Sequence, residues 1–109
     1  MMGARAILLL LGVAAAMSAN AQDSNGGRVL YEANGCFQCH GYAGQGGAGP
    51  RIAPSAYPLE AFVALVRRPS NEMPAYAPQA LSDAELGAIY RYVRSIPEPP
   101  AVAAIPLLR

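Results

Sequence analysis

The sequence predicts an all-α domain with three main helices, and three observations carry that expectation. Ser82-Asp83-Ala84-Glu85 has the form of a capping box. After it Leu86, Ile89, Tyr90, Val93 and Ile96 recur at three- and four-residue spacing. A second apolar segment, 58–68, is bracketed by Pro58 and Pro69. No stretch alternates polar and apolar residues for long enough to make a pair of strands.

The elements follow in order. Met1 to Arg5 carry positive charge, Ala6 to Ala16 form a short apolar core, and Ser18-Ala19-Asn20-Ala21 ends in a small-x-small cleavage pattern. Residues 1–21 therefore read as an export signal cleaved after Ala21, with a mature chain beginning at Gln22 in the periplasm. An uncleaved anchor is the competing reading. The apolar run falls short of the roughly 20 residues that span a bilayer core of about 30 Å. The first helix is expected around Gly26 to Asn34, with Val29, Leu30 and Tyr31 on its apolar side. Glycines make 41–57 an irregular loop.

The second helix starts at Pro58 and ends at Arg68, where Arg67 and Arg68 complement the dipole. The third has Ser82 as N-cap, with Leu81 and Leu86 placed as a hydrophobic staple. Arg91 and Arg94 face away from its apolar side, and Pro97 stops it. The domain thus spans 22–98, and 99–109 is a proline-rich apolar tail.

Composition excludes some functions. The chain holds eight basic residues, all arginine, and seven acidic ones, so loss of Arg5 leaves the mature side chains balanced. A neutral chain without basic clusters is a poor nucleic-acid binder, because phosphate neutralisation dominates that affinity. About 88 residues make a small domain, of the size at which a staple or cofactor supplements a thin core.

Both cysteines and the single histidine lie within five residues, Cys36-Phe37-Gln38-Cys39-His40. Cys-x-x-Cys-His is the spacing of a c-type haem attachment site. Thiols three apart in a helical turn can add to the two vinyl groups of one porphyrin. The next residue, His40, then lies under the iron as its proximal ligand. A disulfide suits the same oxidising compartment. A redox dithiol wants a βαβ setting, and structural zinc wants four ligands where this chain owns three. The five-residue pattern and the export signal together favour one haem c, bound covalently through Cys36 and Cys39.

A second axial ligand is found by elimination. The chain has no other histidine, no third cysteine and no lysine, and Met1, Met2 and Met17 fall within the signal. Met73 remains, in a loop stiffened by Pro69, Pro74 and Pro78, which lowers the entropic cost of holding a weak thioether ligand. Core packing is the ordinary use of a lone methionine. Here it is the only soft donor left, so His40 and Met73 are the expected iron ligands.

Signal, Cys-x-x-Cys-His, a glycine-rich loop ending in Gly49-Pro50, a late Met73-Pro74 and a final aromatic helix resemble the class I cytochromes c, specifically small bacterial single-haem ones. The resemblance spans Gly26 to Pro97. It implies a cytochrome c-like fold whose first and last helices cross, Gly27 and Tyr31 meeting Ile89 and Tyr92. It implies that the Pro50 carbonyl accepts a hydrogen bond from the ligand histidine and that Ile52 packs on the haem. Arg51 and Tyr76 are candidates for the haem propionates, or else face solvent.

Two departures stand out. Gly35 adds a residue between the first-helix aromatic and the first cysteine, so a local kink is expected there, with Tyr31 slightly displaced against Tyr92. Without lysine, docking must rest on apolar surface with a few arginines.

A haem closed on both axial sides suits passing electrons and does not suit binding oxygen. The expected function is a periplasmic electron carrier between an exported dehydrogenase or similar donor and an oxidase or other cytochrome acceptor, and not an enzyme in itself. The alternatives are a subunit of an oxidoreductase complex, gripped through the C-terminal tail at a membrane complex, or a haem enzyme or sensor with a labile Met73.

Overall fold

The computed structural model describes residues 24–108, so the expected export signal lies outside the described residues. Four α-helices follow one another and no strand occurs among these residues. Helix α1 is helical from the first described residue to 33, α2 is Cys36–His40, α3 is Leu59–Arg67 and α4 is Asp83–Ser95. The tail, expected to be irregular, contains two short 3-10 turns, Val102–Ala104 and Pro106–Leu108. No helix among the described residues is long and apolar enough to cross a membrane.

α4 organises the rest. Its capping box is complete: Glu85 N donates to the Ser82 hydroxyl (3.2 Å), and Ser82 N donates to the Glu85 carboxylate (2.8 Å). Those bonds hold the Glu85 carboxyl below its usual range. Leu81 and Leu86 on either side of the cap are buried in the core, as a staple requires. Leu86, Ile89 and Val93 carry the buried face, while Arg91 and Arg94 are exposed.

α3 packs against α4 with Phe62 and Val66, one turn apart, turned inward. The Phe62 and Tyr90 rings lie 5.3 Å apart and tilted, an arrangement worth about 0.5–1.5 kcal/mol beyond the area it buries. Pro58 occupies the N-cap position, one residue earlier than expected, and its carbonyl accepts the first helical bond from Phe62 N. Arg67 leaves the last turn of α3 to bond Asp83, in the first turn of α4, and the Tyr76 carbonyl at 2.8 Å.

α1 crosses α4 as the resemblance implied. A Cβ on Gly27 would stand 2.1 Å from the Ala88 carbonyl oxygen and 2.8 Å from Tyr92 Cβ, so only hydrogen fits there. One turn later Tyr31 is fully buried and meets Tyr92 edge to face at 5.5 Å. The extra residue has not displaced it from that contact.

One expectation needs correcting. Val29 is 62% exposed, because the apolar face of α1 is the Gly27–Tyr31 line and Val29 lies two residues off it, about 200° around the helix. Arg28 and Glu32 pair along the exposed side.

Candidate functional site

α1 and α2 are separated only by Asn34 and Gly35. Gly35 has φ 74°, the left-handed conformation that ends α1, and it also serves as N-cap of α2. The kink expected at the extra residue is therefore this turn, which points α2 along a new axis. α2 places Cys36 and Cys39 three residues apart, with His40 in its last turn. Cys36 is half-buried and Cys39 exposed, and both thiols are free. Burial pushes the Cys36 thiol up from its usual value.

The glycine-rich loop folds back over the end of α2. Gly46 N donates to the His40 carbonyl (2.8 Å) and Gly49 N to the Cys39 carbonyl (2.9 Å), satisfying groups the helix end leaves open. A Cβ on Gly49 would touch the imidazole, 3.0 Å from Cε1, so this glycine lets the loop close on the ring. His40 is buried, and its Nδ1–H donates to the Pro50 carbonyl at 2.7 Å. A carbonyl only accepts, so the proton sits on Nδ1 and the lone pair on Nε2 is left for a metal. That is the contact the resemblance implied for Pro50.

Two tyrosines reinforce the same loop, and nothing in the sequence announced their hydroxyls. Tyr31 Oη donates to the Gly41 carbonyl at 2.6 Å, and Tyr92 Oη to the Tyr42 carbonyl at 2.9 Å. The rings that cross between α1 and α4 thus hold the two carbonyls next after His40. Burial raises the pKa of both phenols, which keeps them protonated donors.

Ile52 and Met73 are half-buried and pack against the core, together with Cys36, Phe37 and Tyr76. Arg51 does not reach outward as a free cation: its Nε donates to the Ala53 carbonyl (2.8 Å) and its Nη2 pairs with Glu98. Tyr76 Oη donates to the Asn34 carbonyl (2.7 Å), beside the cysteine turn. The Tyr76 phenol and the Arg51 guanidinium considered for the propionates are thus committed to protein partners.

The donor set fits a haem: two unpaired thiols on one helical turn, an adjacent imidazole with Nε2 available, and one thioether on a separate loop. It does not fit zinc. Among the described residues no group of three or more His, Cys, Asp or Glu side chains could hold a metal ion.

An all-α core, crossed first and last helices and a clamped Cys-x-x-Cys-His turn define a small c-type cytochrome. The chain belongs to the family described as cytochrome c oxidase, cbb3-type, subunit III, whose model matches residues 22–93. Covalently bound haem c comes with that membership, and Cys36, Cys39 and His40 fit its attachment. No curated protein and no solved structure matches the chain.

Proposed function

We propose that the protein is a periplasmic electron carrier in which His40 and Met73 would hold the iron of a bound haem c. Haem c supplies a one-electron iron couple, with its potential raised when a methionine is the second ligand. Cys36 and Cys39 tether the group, and the Pro50 carbonyl fixes the His40 tautomer and strengthens its ring as a donor. Ile52 contributes an apolar wall. The observation that carries the reading is the His40–Pro50 hydrogen bond, which leaves a single nitrogen lone pair to bind metal.

Electrons exchange with partners over the exposed cysteine edge. Phe37 and Tyr42 stack there at 4.5 Å, and Tyr42 is 61% exposed, giving an apolar and aromatic surface in place of a lysine ring. The donor in this reading is an exported dehydrogenase or a similar protein. The family's description supports an oxidase as acceptor.

Carbon monoxide tests the axial assignment. The reduced wild-type protein is expected to resist it, and Met73→Ala to bind it readily. Equal binding by the two proteins would remove Met73 from the iron.

A second reading, a subunit held on an oxidase or other oxidoreductase, is favoured by the tail. Val102, Leu107 and Leu108 are largely exposed, with Leu107 at 95%. Deleting 99–109 is expected to release the protein from the membrane or enzyme fraction if the tail is the grip. Unchanged association would leave the freely diffusing carrier.

A further inference from the structure

The loop that carries Met73 has few ties of its own. Among the described residues, no backbone hydrogen bond is made between Pro69 and Ala75. Three residues past Met73, Tyr76 is held at three atoms. Its amide donates to the Val66 carbonyl (3.2 Å), its carbonyl accepts from Arg67 Nη1 (2.8 Å), and its hydroxyl donates to the Asn34 carbonyl (2.7 Å). The first two fix it to α3. The third crosses 42 residues of sequence to the turn immediately before Cys36.

That carbonyl is available for a physical reason. Gly35 leaves the helical conformation at φ 74°, and the Gln38 amide bonds the Gly35 carbonyl at 3.1 Å. The Asn34 carbonyl is thereby without a partner in either α1 or α2, as the last carbonyls of a helix are. Asn34 is itself fixed, with its amide and its Nδ2 both bonded to the Leu30 carbonyl (3.0 and 2.8 Å). The residue that departs from the usual family spacing thus presents the acceptor that Tyr76 takes up.

We propose that Tyr76 is a positioning residue, a latch through the Asn34 carbonyl that holds the Met73 loop in register with the Cys36–His40 turn. It sets how readily Met73 yields its place to an outside ligand. The inference rests on the reading of Met73 as the second axial ligand. Pro74 lies between the two residues and Ala75 adds no bulk, so little slack separates the latch from the thioether. Opening the Tyr76 hydroxyl bond frees the loop from the cysteine turn while leaving its two bonds to α3 intact.

Imidazole competition on the oxidised, haem-loaded protein tests this, followed by the visible spectrum. Tyr76→Phe keeps the ring and removes only the hydroxyl. It is expected to bind imidazole about five- to tenfold more tightly than wild type, the effect of one lost half-buried hydrogen bond. Met73→Ala should bind it more tightly still. Tyr90→Phe is the control: it removes a hydrogen bond of the same kind, to the Tyr57 carbonyl, that touches neither the Met73 loop nor the cysteine turn. It should leave imidazole affinity at the wild-type value even where it lowers the melting temperature. If Met73→Ala binds tightly but Tyr76→Phe matches wild type, the latch is wrong and the methionine ligand stands. If Tyr90→Phe gains as much as Tyr76→Phe, the gain reflects general loosening and the latch is again wrong. If Met73→Ala matches wild type, the ligand reading fails and takes the latch with it.

Discussion

The histidine side and the methionine side of this protein are built to different standards. His40 sits at the end of a helix whose carbonyls are bonded by Gly46 and Gly49, with its ring fixed by Pro50 and the next two carbonyls fixed by Tyr31 and Tyr92. Every one of those groups is anchored in the α1–α4 crossing or in the loop that folds over α2. Met73 sits in a proline-stiffened loop tied down mainly through Tyr76. The lesson is a division of labour. On the proposed ligation, the histidine is over-determined by the fold and the methionine is held by stiffness and a few side-chain bonds, which would make it the exchangeable ligand.

The largest blow to that contrast comes from Gly27→Val. Its side chain would collide with the Ala88 carbonyl, which is backbone and cannot swing away. Separating α1 from α4 should cost about 3 kcal/mol or more. For a domain of this size that lowers the melting temperature by roughly 10 °C or more. Calorimetry on the haem-loaded protein reads it, and an unchanged melting temperature would mean that the crossing is not the foundation of the histidine side.

A smaller effect sharpens the comparison. Tyr31→Phe leaves the half-buried Gly41 carbonyl without its donor and should cost about 1 kcal/mol in chemical denaturation. Because the loss falls on the histidine side, imidazole competition at Met73 should stay at the wild-type value. A rise there would show that the two sides are mechanically one.

The smallest effect lies beneath both sides, at the cap of α4. The Glu85 carboxyl is held below its usual value by the Ser82 bonds, so its charged form favours the folded state. Its contribution is fully present above the ordinary carboxyl value of 4.5 and fades as pH falls through the lower folded value. Glu85→Gln should therefore be slightly less stable than wild type at neutral pH and should converge on it in acid. Equal stability across the range would show the cap to be neutral in charge terms.

Much of this was legible in the sequence, for local reasons. The capping box, the α4 periodicity and the attachment motif each occupy a few consecutive residues, and short-range rules govern them. Gly27 and Pro50 were placed by resemblance, and the structure gives both their contacts. What stayed hidden were bonds between residues far apart: Tyr31 to Gly41, Tyr92 to Tyr42 and Tyr76 to Asn34. A hydroxyl reaching a distant backbone carbonyl has no period and no motif. Val29 misled because apolar residues adjacent in sequence spread around a helix: Leu30 and Tyr31, three and four residues from Gly27, pack on the core, and Val29 does not. Gly35 was visible as an oddity, but its use as both the end of one helix and the start of the next appears only in three dimensions.

The tight seat of Gly27 against Ala88 also governs when the molecule can be finished. The two halves of that joint lie at opposite ends of the domain, so the loop between them must close before either end is secured. A chain made first helix first gains that partner only when its last helix has followed. Until then the loop after the cysteine turn lacks the bond that Tyr92 gives the Tyr42 carbonyl.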